Sequence, residues 1–265
     1  MSERVLCEIE DNVAVVRLNR PHKMNAFDFA MFIELDKLWR QLKKNRHLRA
    51  VVITGNGDNF SSGLDIKSVL TSMPTIFRLI WKWLPGQAHL AQRVCVAWRR
   101  LPVPVIVAIH GRCWGAGMQL ALGCDLRFST PDASLAIMES RWGLIPDMGG
   151  SLALREIMPL DQALILTWTA EPIVAEKALE MGLVSQLHED PLAAAMDYCR
   201  QIKERSPDAC GGVKKLYHKA WHHNDRKMLA LEWMYQLKIM MGKNLWIAIK
   251  RQRGKDTPYN PRGLW

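Results

Sequence analysis

The chain lacks most of the signatures that mark metal, disulfide, nucleotide-binding or membrane proteins. Its six cysteines, at positions 7, 95, 113, 124, 199 and 210, form no CxxC pair, which argues against a disulfide framework and a zinc ribbon. None of the eight histidines sits in an HExxH arrangement, so no catalytic metal is expected. No stretch approaches the uninterrupted apolar length that spans a bilayer, and no membrane insertion is expected. The opening MSERVLCEIEDN carries acidic residues at once, unlike a secretory signal or an arginine-rich transit peptide, and a cytoplasmic protein is the expectation. Internal repeats and low-complexity linkers are also missing.

What is present describes an ordinary globular chain with an unusual surface. There are 265 residues, 49% of them hydrophobic and 23% charged, enough for one sizeable core and a small appended subdomain. The formal net charge is +10. No zinc-finger spacing or aromatic-basic platform accompanies the lysines and arginines, so nucleic acid is not an expected partner. A positive field also suits a small substrate carrying several phosphates. Tyrosine and phenylalanine are sparse, with 4 and 6 copies, but there are 11 tryptophans. These favour a large apolar pocket, an oligomer interface, or ordinary core filling.

Hydrophobic patterning predicts strands at 5–10, 13–18, 50–54, 104–110, 124–130 and 183–187, with a short extended SLAIM segment ending at Glu139. It predicts an amphipathic helix over 26–44 and helical sequence over 68–100, interrupted near Pro74 and Pro85-Gly86. Further helices are predicted at 116–123, 151–157, 160–168, 173–180, 191–205, 208–220, 225–240 and 243–252. Repeated strand–loop–helix units fit an α/β core with crossover connections. We divide the chain into a core over 1–199 and a C-terminal helical region over 200–265.

Two turns each follow a strand and precede a helix: Ser61-Ser62-Gly63-Leu64-Asp65, and Gly111 through Gly117. Small residues there let the backbone approach a ligand, and N–H groups at a helix start face oxyanions. Neither turn has the P-loop lysine or the early βαβ context of a dinucleotide fingerprint, and glycines also mark ordinary turns. Two carboxylates stand out. Glu139 closes an apolar segment, where burial raises a carboxyl pKa and suits it to proton exchange; an ion pair with Arg141 is the bland alternative. Asp147 follows eight positions on, between Pro146 and Met148. It reads either as a helix cap or as a second proton-transfer group opposite Glu139.

In this order the features resemble the crotonase, or enoyl-CoA hydratase/isomerase, family over about residues 5–252. Arg20-Pro21-His22-Lys23-Met24-Asn25-Ala26 resembles its RPxxxNA segment, and Phe60 through Ile66 its first oxyanion and CoA-binding loop. Gly111 through Gln119, continuing to Asp125, is similar to the second loop, and Glu139, Gly143, Pro146, Gly149 and Gly150 follow in family order. The resemblance implies a crotonase-like spiral of repeated β-β-α units. It also implies a homotrimer or dimer of trimers, built partly by the C-terminal helices, and an acyl-CoA thioester substrate with no separate cofactor. By matched position it implies backbone N–H donors at Ser62 and Ala116. CoA and acyl contacts would come from Lys23, Ser61, Ser62, Gly63, Leu64, Asp65, Ile66, Trp114, Gly115, Ala116, Gln119 and Trp142. Lys250 of the last helix is another candidate for the phosphates.

Gln119 departs from the pattern: family hydratases place a catalytic glutamate there, and an amide cannot act as a base. Glu139 with Asp147 matches the pair of the family's Δ3,5-Δ2,4-dienoyl-CoA isomerases. In that reading Asp147 takes a proton from C2 and Glu139 delivers one to C6. Enoyl-CoA hydration and a non-catalytic CoA- or RNA-binding role are the competing readings.

Overall fold

The computed structural model describes residues 3–265. The chain opens with a hairpin of β1 (Val5–Glu10) and β2 (Val13–Leu18), joined through Asp11 and Asn12 at φ of 47° and 63°. Aspartate and asparagine tolerate this left-handed conformation better than most side chains, which is why the turn closes here. A single 3-10 turn over Pro21–Lys23 leads to α1 (Phe29–Lys44), followed by β3 (Ala50–Gly55), α2 (Ile66–Val69), α3 (Met73–Ile80) and α4 (Leu90–Arg100). Next come β4 (Val105–Ile109), β5 (Arg112–Trp114), α5 (Ala116–Leu122), β6 (Leu126–Ser129) and β7 (Ser134–Ala136). A second 3-10 turn at Glu139–Trp142 precedes α6 (Ser151–Ile157) and α7 (Leu160–Thr169). After β8 (Ile173–Val174), α8 (Ala175–Glu180) and β9 (Gln186–Leu187) the chain is helical: α9 (Pro191–Lys203), α10 (Pro207–Ala220), α11 (Asp225–Met240) and α12 (Lys243–Gln252).

The main sheet runs β1-β2-β3-β4-β6-β9, parallel from β2 onward; the small sheet runs β5-β7-β8. The repeat is a long strand, a short strand and a helix: β4–β5–α5, then β6–β7 and the second 3-10 turn. In the first repeat Ser61 takes the short strand's place, bridging in parallel to Cys113. This is the α/β spiral of β-β-α units that the sequence implies. The inner strands are covered on both faces, so β3 and β4 are buried at every position. Val16, Val51 and Val107 point to one side, into a core shared with α1, α4 and α5. Ala50, Val52 and Ile106 point to the other, against Ala195 and Cys199 of α9.

Several boundaries differ from the sequence expectation. The first long helix starts at Phe29 rather than 26, because Asp28 caps it by accepting the Met31 N–H at 2.9 Å, and Phe27 bridges to Leu64. The 68–100 region is three helices. Pro74 lies in the first turn of α3, where proline has no hydrogen bond to lose, so it opens that helix. Residues 173–174 form a strand paired with β7 before α8 begins. Leu183 and Val184 are buried in a turn, leaving only Gln186–Leu187 as strand. Glu139 opens a 3-10 turn. No helix among the described residues is long and apolar enough to cross a membrane.

The RPxxxNA segment is a clasp for the loop that follows β3. Asn25, fully buried, donates from Nδ2 to the carbonyls of Asn56 and Asn59 at 2.9 and 2.8 Å, and its Oδ1 accepts the Arg20 N–H at 2.8 Å. Its backbone sits at φ 53°. Arg20 reaches Asp65 at the far end of the loop, 2.7 Å away. Asn25→Ala removes three buried hydrogen bonds and puts alanine in a left-handed conformation. We expect it to destabilise the fold by roughly 3 kcal/mol, read by chemical denaturation.

Candidate active site

The two glycine turns are stitched together. Ser61 N–H donates to the Arg112 carbonyl at 2.8 Å, and Trp114 N–H donates to the Ser61 carbonyl at 2.9 Å. Gly63 has φ 98°, and a Cβ there would fall 3.0 Å from the Trp114 carbonyl oxygen and 3.5 Å from the Ala116 nitrogen. A Cβ on Gly117 would meet Ser61 Cβ at 2.6 Å. Only glycine at both positions lets the turns pack this closely.

The Leu64 and Ala116 N–H groups meet no acceptor among the described residues, and both residues line one cavity of about 260 Å³. Ser62, expected as a donor, does not fit that role. Its N–H is already given to the Met24 carbonyl at 2.8 Å. The reason is the clasp: the 20–26 segment lies against this stretch of the loop and takes the N–H that points away from the cavity. Ser61 is likewise internal. Its hydroxyl donates to the Asn25 carbonyl at 2.9 Å and accepts the Gly63 N–H at 3.2 Å. Asp65 holds Arg20 and caps α2 through the Ser68 N–H.

Of the other expected contact residues, Ser62, Gly63, Leu64, Ile66, Trp114, Gly115, Ala116 and Trp142 line the cavity. Trp114 is steadied by Ser134, which accepts its indole N–H at 3.1 Å, and by Arg112, 4.7 Å over its ring. Trp142 stands at the rim, 57% exposed. Lys23 is exposed in the first 3-10 turn and does not line the cavity.

Glu139 and Asp147 both face the cavity. Glu139 Oε1 accepts from Gln119 Nε2 at 2.7 Å, while Oε2 is buried with no hydrogen-bond partner among the described residues. Gln119 Oε1 in turn accepts the N–H groups of Met148 and Gly150, each at 3.1 Å. Two backbone donors at one end identify it as the oxygen and turn the amide NH2 towards Glu139. Burial pushes the Glu139 carboxyl up; the Gln119 hydrogen bond pulls it back and the nearby Asp147 charge adds to the rise, leaving it above the usual carboxylate value. Asp147 is the wetter group, its side chain 47% exposed.

A second, apolar chamber of about 250 Å³ adjoins the first. Phe32, Val69, Ile76, Leu79 and Ala91 wall it, and Leu64, Asp147 and Met148 are common to both. One residue at this junction was missed from the sequence. His89 caps α4 with its Nε2 4.0 Å from Asp147 Oδ2. Its only sequence signal is a polar residue before an apolar helix with Gln92 three places on, as in a capping box. Burial pushes the Cys124 thiol up to about 12 and Cys113 higher still, so both are core filler.

The Enoyl-CoA hydratase/isomerase family model matches residues 8–245. The chain belongs to the enoyl-CoA hydratase/isomerase family. It is 34% identical over 215 residues to the mitochondrial Delta(3,5)-Delta(2,4)-dienoyl-CoA isomerase of Mus musculus, a match covering 77% of this chain and 65% of that one. The chain thus spans just under two thirds of the length of that relative. It is 32% identical over 214 residues to the (E)-benzylidenesuccinyl-CoA hydratase of Thauera aromatica, covering 80% of each. Among solved structures, an enoyl-CoA hydratase from Mycobacterium tuberculosis superposes with a TM-score of 0.86 at 26% identity, covering 98% of this chain and 99% of that one.

The raised Glu139 pKa has a stability consequence. The folded chain holds this proton more tightly than the unfolded chain does. The associated stability is therefore full below the unfolded value, near 4.5, and is lost as pH rises through the folded value. Glu139→Gln cannot ionise. In thermal melts its stability relative to the parent should rise between about pH 4 and about pH 8.

Proposed function

We propose that the protein is an acyl-CoA enzyme working through an enolate, and that its reaction is Δ3,5-Δ2,4-dienoyl-CoA isomerisation. The carrying observation is the pair of unlike carboxyls facing one cavity beside two free backbone N–H groups. In this reading the thioester oxygen sits between the Leu64 and Ala116 N–H groups. One well-aimed donor of this kind contributes roughly 3–4 kcal/mol to the transition state. Asp147, half in water, removes a proton from C2. The electron pair delocalises over the conjugated chain, and the C3–C4 and C5–C6 double bonds shift towards C2–C3 and C4–C5. Glu139, its proton held by burial, delivers that proton to C6. Asp147 then returns its proton to solvent and Glu139 regains one.

Gln119 weighs against simple hydration. It supplies no base, and its oxygen is occupied by two backbone donors. Hydration of a 2-enoyl-CoA is the second reading. It is favoured by the buried Glu139 Oε2, an acceptor with no hydrogen-bond partner among the described residues. The adjoining apolar chamber fits the acyl tail. We also propose that the C-terminal region from residue 200 mediates a homotrimer or dimer of trimers. In support, α11 presents Leu229, Trp233 and Met240 to the outside, each more than half exposed.

The test incubates the protein separately with 3,5-dienoyl-CoA and 2-enoyl-CoA in oxygen-18 water. Conversion of the 3,5-diene to a 2,4-diene without oxygen label is the expected result. Glu139→Gln and Asp147→Asn should each lose roughly 10²–10⁴-fold in rate. Labelled 3-hydroxyacyl-CoA as the dominant product would replace isomerisation with hydration.

A further inference from the structure

His89 is buried, 6% exposed, at the start of α4. Its position is fixed by a reciprocal cap. The ring Nδ1 accepts the Gln92 N–H at 3.3 Å, and Gln92 Oε1 accepts the His89 N–H at 3.2 Å. A ring nitrogen that accepts a backbone N–H carries no proton of its own. The neutral ring therefore carries its proton on the other nitrogen. That nitrogen, Nε2, faces Asp147 Oδ2 at 4.0 Å.

The charged surroundings keep the ring neutral. Burial is the largest influence and disfavours the imidazolium; Asp147 and the Leu79 backbone pull the other way, while Lys82 and Arg93 act with burial, and the net shift is downward. Asp147 faces Glu139 across the cavity and lies near the buried Cys95 thiol. Becoming imidazolium would put a proton on Nδ1, pointing at the Gln92 N–H, and would break the cap. His89 is thus a donor that cannot readily become an acid.

We infer that His89 is the positioning residue for Asp147: its Nε2–H, fixed in that tautomer by the α4 cap, aims the Asp147 carboxylate into the cavity. The inference rests on the reading of Asp147 as the proton acceptor. At 4.0 Å the two groups are beyond hydrogen-bond range, and the ring also has the Leu79 backbone as a partner; on this inference the half-exposed Asp147 side chain rotates to the Nε2–H when substrate binds. Catalytic hydrogen bonds are commonly long before substrate binds and shorten in the complex. The two carboxyls then differ by design of their partners. Glu139 is enclosed and receives one amide N–H; Asp147 is wet and receives the imidazole N–H.

The test variant is His89→Asn. Asparagine is a good N-cap and can still accept the Gln92 N–H, but its side chain is too short to reach Asp147. The expected result is a folded protein whose kcat falls about tenfold with KM little changed, as loss of a positioning contact to the proton acceptor requires. In the parent, nitrogen-15 NMR of the His89 ring should show the Nε2-protonated tautomer, and Asp147→Asn should shift the Nε2 resonance. A folded His89→Asn protein with unchanged kcat overturns the inference. So does an Nδ1-protonated ring in the parent, a result that does not depend on how the variant folds. Full activity in Asp147→Asn instead overturns the underlying reading of Asp147, whatever the ring tautomer shows.

Discussion

The site depends on one buried amide. Gln119 lies on α5, a helix whose residues are all buried, and its two ends hold different parts of the chain. The oxygen takes the Met148 and Gly150 N–H groups and the nitrogen gives to Glu139. Both carboxyl-bearing segments, the 3-10 turn with Glu139 and the loop with Asp147, are tied to the same side chain. A glutamate here could receive the two backbone N–H groups. An ionised glutamate would have no N–H to give to Glu139. The residue that makes the chain depart from the hydratase pattern is therefore the one that fastens its loops.

A second constraint is the close approach of two glycine turns. The main sheet is parallel, so β3 and β4 deliver their following loops to the same edge. Ser61 and Cys113 pair there, and Gly63 and Gly117 remove the atoms that would hold the turns apart. The cost of a loop rich in left-handed and glycine backbone is met by the clasp from Arg20 and Asn25. That clasp also decides which N–H groups of the loop remain free. It consumes Ser62 and leaves Leu64. The cavity and the apolar chamber beside it meet at Leu64, Asp147 and Met148, so the reacting end and the tail of an acyl chain have separate surroundings.

Much was legible in the sequence. The long strands are buried on both faces, and their apolar runs are visible without a partner sheet. Glu139, Asp147 and the two turns stand out as candidates by residue type and position, and Ala116 by the family resemblance. The errors share a cause. Helix starts at Phe29 and Ala175 were misplaced because Phe27 and Ile173 pair with residues distant in sequence. Ser62 does not serve as a donor because the 20–26 clasp, distant in sequence, takes its N–H.

The amino-acid sequence by itself determined the α/β repeat and the residue types able to move protons beside a polarised carbonyl. Hydrophobic periodicity and side-chain chemistry are local properties, and they need no neighbours to be read. Only the tertiary structure decided which backbone N–H groups stay unpaired, that Gln119 is a brace, and that His89 faces Asp147. Each of these is a contact between segments far apart along the chain. Its outcome turns on ångström-scale competition for hydrogen-bond partners, which no local pattern encodes.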